Sequence, residues 1–324
     1  MSILPRRCPI ISENFVTNIF TTLYMPKNNS LLTASWTGEI IMWDASKFKM
    51  KRKFRIPGTI ARLVYLNSIN AYIALTLNFN YNVTQNKRYS KVSIYNMEFN
   101  LISEYVNELS GILFNKMEVS CSEKYVVISD SSSHMSVIDL ISGRYIPYNG
   151  PKNRISFVKF DPIDDLVYFV NHSNSISCWD FNINETTKKF IESSKIRYFT
   201  ISRCNNYIAM SLSNHSVILF IKKYNRKKIL IEDSIDFLCL NFSNDLRYLV
   251  GGTSNGSIYI WSLITYTKLE IIICDLAPLY HIELFDFNSK LMILARFKRF
   301  IVLDVGGFLT FTKNGNSSLH NIPL

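Results

Sequence analysis

Seven positions recur along this chain at a nearly fixed interval: Trp43, Tyr95, Ile138, Trp179, Phe220, Trp261 and Leu303, spaced by 52, 43, 41, 41, 41 and 42 residues. Each closes an alternating strand that follows an apolar strand, a turn rich in Asn, Asp and Ser, a second apolar strand and a short polar turn. Residues 31–44 (LLTASWTGEIIMWD) and 248–262 (YLVGGTSNGSIYIWS) are the clearest copies. A repeat of about 40 to 45 residues built from four short strands is the signature of a propeller blade. Such a sheet has two faces to cover, so it is stable only against neighbours like itself. The expectation is all-β: a seven-bladed β-propeller of four-stranded antiparallel blades in one domain over 1–324. Blades fall near 16–56, 57–107, 108–149, 150–191, 192–231, 232–273 and 274–313, with a tail at 314–324.

Composition agrees with a buried core. The chain is 48% hydrophobic and 19% charged, which excludes compositional disorder, and its 22 Phe and 18 Tyr favour pleated segments over helices. The formal charge is +11, so polyanions or acidic protein surfaces are attracted at encounter; an AT-rich genome favouring Lys, Asn and Ile codons is the bland alternative. Six cysteines at 8, 121, 178, 204, 239 and 274 form no CxxC pair, which points to a reduced, intracellular setting. Pro5, Arg6, Arg7 and Pro9 interrupt the N-terminus, so it lacks the unbroken apolar stretch of a signal peptide. No apolar run approaches the roughly 18 residues of a membrane span. Triplets such as Asn82-Val83-Thr84 carry no weight without a secretion signal.

These segments resemble WD40 repeats over nearly the whole chain, with Trp43-Asp44 and Trp179-Asp180 as the most faithful dipeptides. Every copy is degenerate. No Gly-His dipeptide occurs, so the Asp-His-Ser/Thr-Trp hydrogen-bond tetrad that the resemblance implies cannot be assembled as the family builds it, and apolar packing must carry more of the stability. The long second interval places extra residues in a hairpin around 78–88 (NFNYNVTQNKR), either a contact element or a tolerated insertion. For the last blade, residues 306–312 (GGFLTFT) read as the outer strand, with 1–12 as the alternative.

Motifs that suggest chemistry have simpler readings. Residues 252–256 (GTSNG) match the GxSxG nucleophile elbow, but that motif needs a strand-to-helix turn, and Asn255-Gly256 reads as a hairpin between two strands. His134, His172 and His215 fall near the turns of consecutive blades. A metal site is conceivable there; with no Cys or carboxylate locally paired to them, solvated turn residues are the expectation. Residues 47–56 (KFKMKRKFRI) alternate, with Lys47, Lys49, Lys51, Lys53 and Arg55 on one face and Phe48, Met50, Phe54 and Ile56 on the other. That is either an edge strand guarded by lysines or a stripe for an acidic partner. Residues 222–228 (KKYNRKK) and 296–300 (RFKRF) add basic charge on other blades. No P-loop, dinucleotide fingerprint, HExxH, EF-hand loop or Asp-box is present.

The expected function follows from rigid loops on a stiff frame: a non-catalytic scaffold, a structural subunit of an intracellular, nuclear rather than cytoplasmic, multiprotein complex in chromatin or RNA metabolism. Partner-binding candidates are Trp36, Tyr81, Lys87, Arg88, Tyr89, Lys49, Lys51, Lys53, Arg296, Lys298 and Arg299. Other protein subunits are the expected partners, with an acidic protein surface or nucleic acid as specific forms. No membrane, cofactor, metal or small-molecule substrate is expected. Residues 30–76 and 196–305 resemble the WD40 subunit of Set1-type histone methyltransferase complexes. The first two blades also resemble subunit i of translation initiation factor 3, though its glycine-rich signature is missing. Residues 38–43 (GEIIMW) followed by Phe48 are similar to the propeller of the polyadenylation machinery. Direct RNA or DNA binding through basic edges interleaved with Phe and Tyr is the competing expectation.

Overall fold

The alternating segments pair as seven four-stranded antiparallel sheets, the blades of a seven-bladed β-propeller. The structure is a computed structural model that describes residues 6–7, 19–80, 87–106, 114–130, 132–171, 174–232, 234–273, 277–285, 290–295 and 300–305. The chain divides into two compact units, Phe15–Phe237, and Met1–Asn14 with Leu238–Leu324. Strands are numbered along the chain from β1 (Arg6–Arg7). In the larger unit the first sheet is β2 (Ile19–Met25), β3 (Ser30–Ser35), β4 (Glu39–Asp44) and β5 (Met50–Arg55), hydrogen-bonded in that order. The second is β6 (Thr59–Leu66), β7 (Ala71–Asn80), β8 (Lys87–Tyr95) and β9 (Leu101–Val106). The third is β10 (Lys116–Val119), β11 (Tyr125–Ser129), β12 (Met135–Asp139) and β13 (Tyr145–Pro147). The fourth is β14 (Phe157–Phe160), β15 (Val167–Val170), β16 (Ser175–Asp180) and β17 (Glu185–Ile191), and the fifth β18 (Ile196–Ile201), β19 (Tyr207–Leu212), β20 (Ser216–Ile221) and β21 (Arg226–Glu232).

The core lies between neighbouring sheets. Tyr72 of the second sheet stacks on Phe99 with ring centres 4.5 Å apart, and its hydroxyl donates to the Met25 sulfur of the first sheet at 3.2 Å. The repeating large residues close each third strand, and Trp43, Trp179 and Trp261 are all at most 1% exposed. A buried indole removes roughly 150–250 Å² from water, worth about 4–6 kcal/mol as an upper bound. That is why the cadence survives where other positions drift. The residue after it has a separate task. Asp44 Oδ1 accepts the backbone N–H groups of Ser46 and Lys47, both at 2.9 Å, and Asp139 accepts those of Ile141 and Ser142. These carboxylates close the turn to the fourth strand, which ends in a left-handed residue, Phe48 or Gly143. A second recurrent cap escaped the sequence reading: Ser120, Ser202 and Ser243 each accept the N–H of a tyrosine five residues on, Tyr125, Tyr207 and Tyr248, at 3.1, 3.0 and 2.9 Å.

Of the bonds in the tetrad that the resemblance implied, the first blade has the one between Trp and Thr. Trp43 Nε1 donates to Thr33 Oγ1 at 2.8 Å, whereas Trp179 Nε1 turns to the Asn184 side chain at 3.0 Å. In the smaller unit, β22 (Phe237–Phe242), β23 (Tyr248–Thr253), β24 (Ser257–Ser262) and β25 (Lys268–Ile273) form one sheet. The other is β26 (Leu279–Phe285), β27 (Lys290–Ala295), β28 (Phe300–Asp304) and β1. The outer strand of this last blade is therefore N-terminal, correcting the expectation for 306–312, which lie outside the described residues. Arg6 pairs with Asp304 and Arg7 with Leu303. No helix among the described residues is long and apolar enough to cross a membrane.

A candidate docking cleft between the first two blades

The second blade differs from the rest in its central hairpin. Its two middle strands run for 10 and 9 residues, and the ladder continues through Asn78 opposite Tyr89 to Asn80 opposite Lys87. The extension stands at the same end of the sheets as the β3–β4 turn of the first blade, which carries Trp36, and the crossing from β5 to β6. In that turn, against the crossing, Gly38 adopts φ +82°, and an added Cβ would lie 2.1 Å from the Ile56 carbonyl oxygen. The close approach is fastened by the Ile56 N–H, which donates to the Gly38 carbonyl at 2.9 Å.

Turn, crossing and hairpin enclose a cleft of about 420 Å³ lined by Trp36, Thr37, Arg55, Gly58, Thr59, Leu77, Asn78 and Tyr89. Trp36 is 44% exposed, with Phe20 behind it at a ring-centre distance of 4.9 Å, and Tyr89 is half-buried beside the Lys91 ammonium, 5.6 Å from its ring centre. Leu77 and Thr59 are buried and form the base. The cleft joins two aromatic walls, a base of Leu77 and Thr59, the polar groups of Thr37 and Asn78 and one guanidinium, a combination suited to holding a side chain of another molecule.

The basic strand beside it is largely committed to internal partners. Lys51 pairs with Asp44 at 3.2 Å, Arg52 with Glu98 of the second blade at 2.8 Å, and Lys53 with Glu39. Backbone hydrogen bonds from Lys47 and Ser46 hold Asp44 below the usual carboxylate range despite its small desolvation, and Lys51 adds to this. The alternation expected from 47 onward begins only at Met50, because Lys47 and Lys49 belong to the preceding turn and Phe48 has φ +53°. Arg55 is different: it is exposed, lines the cleft, and has no carboxylate among the described ion pairs. Glu39 lies opposite it in register, but that carboxylate is taken by Lys53.

Of the sequence candidates, Trp36 and Tyr89 are thus brought together, and Lys51 and Lys53 are paired beside them. Lys87 and Arg88 continue the β8 ladder. Tyr81, Arg296, Lys298 and Arg299 lie outside the described residues, as do His172 and His320. Gly58, Thr59, Leu77 and Asn78 were missed, and Arg55 was read only as part of the basic face of 47–56; the available signal was the long hairpin following the Pro57-Gly58 crossing.

The reading of the turn histidines His134, His172 and His215 also needs correction, since two of them have carboxylate neighbours. His134 Nδ1 is 2.7 Å from Asp130 Oδ2, and His215 Nδ1 is 2.5 Å from Asp236 Oδ1, whose other oxygen accepts from Arg197 at 2.8 Å. Among the described residues no group of three or more His, Cys, Asp or Glu could hold a metal ion. Ser254 lies on the turn joining β23 and β24, with Gly256 at φ +89°, a hairpin and not a strand-to-helix elbow.

Three inner strands share a further charge row. Glu118 accepts from Lys159 at 2.6 Å and lies 4.0 Å from Arg62, linking the second, third and fourth blades. Near it Lys116 donates to the carbonyls of Ile155 at 2.8 Å and Asp130 at 3.2 Å, and burial pushes its ammonium down to about 8 against the pull of Asp130. No known family's sequence profile and no curated protein sequence matches this chain.

Proposed function

We propose that the protein is a non-catalytic interaction scaffold, a structural subunit of an intracellular, nuclear assembly in chromatin or RNA metabolism, and that it docks a partner in the cleft between its first two blades. The observation that carries this reading is the convergence of Trp36 and Tyr89 on one preformed cleft. Both rings are set by hydrogen-bonded turns and ladders, so little ordering entropy is lost on docking. The net charge of +11 supports an acidic partner, and the WD40 resemblance supports a multisubunit setting. Affinity purification of the tagged wild type and of a Trp36→Ala/Tyr89→Ala variant, followed by mass spectrometry, tests the reading. A discrete set of subunits should be lost with the variant; full retention by a folded variant sinks it.

Direct nucleic-acid binding is the second reading, favoured by Lys87 and Arg88 next to Tyr89 on the extended hairpin. Its mark would be RNA affinity that falls steeply with salt.

A further inference from the structure

We infer that the occupant of the cleft is an acidic peptide segment of a protein partner, one that inserts an aromatic or aliphatic side chain between Trp36 and Tyr89 and presents a carboxylate to Arg55. The inference rests on the scaffold reading and adds the chemistry of the partner. Charge complementarity selects it. The β5 cations Lys51, Arg52 and Lys53 are each neutralised within the protein, by Asp44, Glu98 and Glu39, while Arg55 opens onto the cleft, which no carboxylate lines among the described residues. An exposed guanidinium in a cleft walled by two aromatic rings is matched by a planar carboxylate, which accepts two parallel N–H bonds. A volume of about 420 Å³ lies at the small end of ligand pockets, enough for one large side chain and its flanking backbone. Nucleic acid fits less well, because a phosphate chain needs successive uncommitted cations and the strand beside the cleft has spent three of its four on internal pairs.

The chain contains its own reporter. Of its 4 Trp, three (Trp43, Trp179 and Trp261) are at most 1% exposed, so quenching and spectral shifts caused by a ligand report on Trp36. The full-length protein is titrated with an acetylated Glu-Glu-Phe-Glu-Glu peptide, its Gln-for-Glu and Ala-for-Phe analogues, and oligouridylate. The acidic Phe peptide should shift Trp36 emission and protect it from acrylamide. Each analogue, and the Arg55→Gln variant, should bind about tenfold more weakly, the usual effect of one charge-assisted bond or one apolar anchor. Arg55→Glu should reverse the preference toward a Lys-Lys-Phe-Lys-Lys peptide, a gain that misfolding cannot produce. Equal affinity for the Gln analogue, stronger binding of oligouridylate at this site, or no change in Trp36 at millimolar peptide overturns the inference. If Trp36→Ala/Tyr89→Ala still strips partners in purification under those results, the scaffold reading stands and only the acidic anchor fails.

Discussion

Replacing Gly38 with Ala probes the contact that shapes the cleft. At φ +82° the residue is in a region that L side chains occupy at a cost of roughly 1–2 kcal/mol. The new Cβ would also meet the Ile56 carbonyl oxygen at 2.1 Å and that of Gly58 at 2.9 Å, both backbone atoms that cannot swing aside. Relieving this clash means parting the turn from the crossing and losing the 2.9 Å bond from Ile56 N–H to Gly38, about 0.5–1.5 kcal/mol more. Gly38→Ala should therefore cost about 2–3 kcal/mol. Gly143 is the control: it too has positive φ, +72°, but its Cβ would meet only a Tyr105 ring carbon at an ordinary 3.6 Å. Gly143→Ala should cost only the dihedral part, about 1 kcal/mol. Native-state hydrogen exchange at the Ile56 amide reads the local effect: a 2–3 kcal/mol loss speeds exchange by roughly 30- to 150-fold. Similar midpoints in urea for the two variants, with the Ile56 amide still protected in Gly38→Ala, would refute the close-approach argument.

Three other perturbations test the remaining frame. Burial alone would lower Lys159, and the Glu118 carboxylate outweighs it to raise the lysine overall, so the pair's stability is complete below the unfolded lysine value and fades as pH climbs through the higher folded one. Glu118→Gln should cost about 2 kcal/mol in urea melts near neutral pH, with the gap from wild type narrowing only above about pH 10.5; an unchanged melt would show the row to be idle. Lys116 is displaced the other way, to about 8, so stability should rise with pH between about 8 and 10.5, where the unfolded chain holds a proton that the folded one lacks. NMR of the ¹³C-methylated lysines should show one resonance titrating near 8 that disappears in Lys116→Gln. Trp43→Phe should cost about 1–2 kcal/mol by removing the indole N–H that Thr33 Oγ1 accepts, and adding Thr33→Val should recover part of that; strict additivity in the double-mutant cycle would deny the hydrogen bond its role.

The blades were legible because their signal is local and repeated. A third strand covered on both faces needs a large apolar residue at its end, and the turn after it needs an oxygen to accept backbone N–H groups, so Trp43-Asp44 and Trp179-Asp180 mark structure directly. The carboxylate partners were not legible, because Glu98 reaches Arg52 across 46 residues and Asp236 meets His215 from the following crossing. Nor was the outer strand of the last blade. Arg6-Arg7 has no β-forming character of its own and is fixed by the edge of β28, whereas 306–312 carries the stronger strand propensity. Trp36 and Tyr89 could be chosen as candidates from type and position, but their convergence depends on how far the second blade's hairpin climbs past the first blade's turn.

Specificity in a repeat protein has to come from where the repeat is broken. Seven equivalent blades would offer seven equivalent seams, and a partner could not tell one from another. Here the single long interval, 52 residues against 41 to 43 elsewhere, lengthens β7 and β8 and raises Asn78 and Tyr89 beside the first blade's turn. The same seam carries Arg55, which has no carboxylate partner among the described residues because Lys53 takes Glu39. Shortening the hairpin by removing residues 79–88 would restore the length of the other blades while deleting the ladder that extends it. It should abolish peptide protection of Trp36 and leave the packing of Tyr72 on Phe99 intact, since that stack lies at the opposite end of the strand. A shortened protein that folds and still protects Trp36 would place the docking surface elsewhere on the propeller.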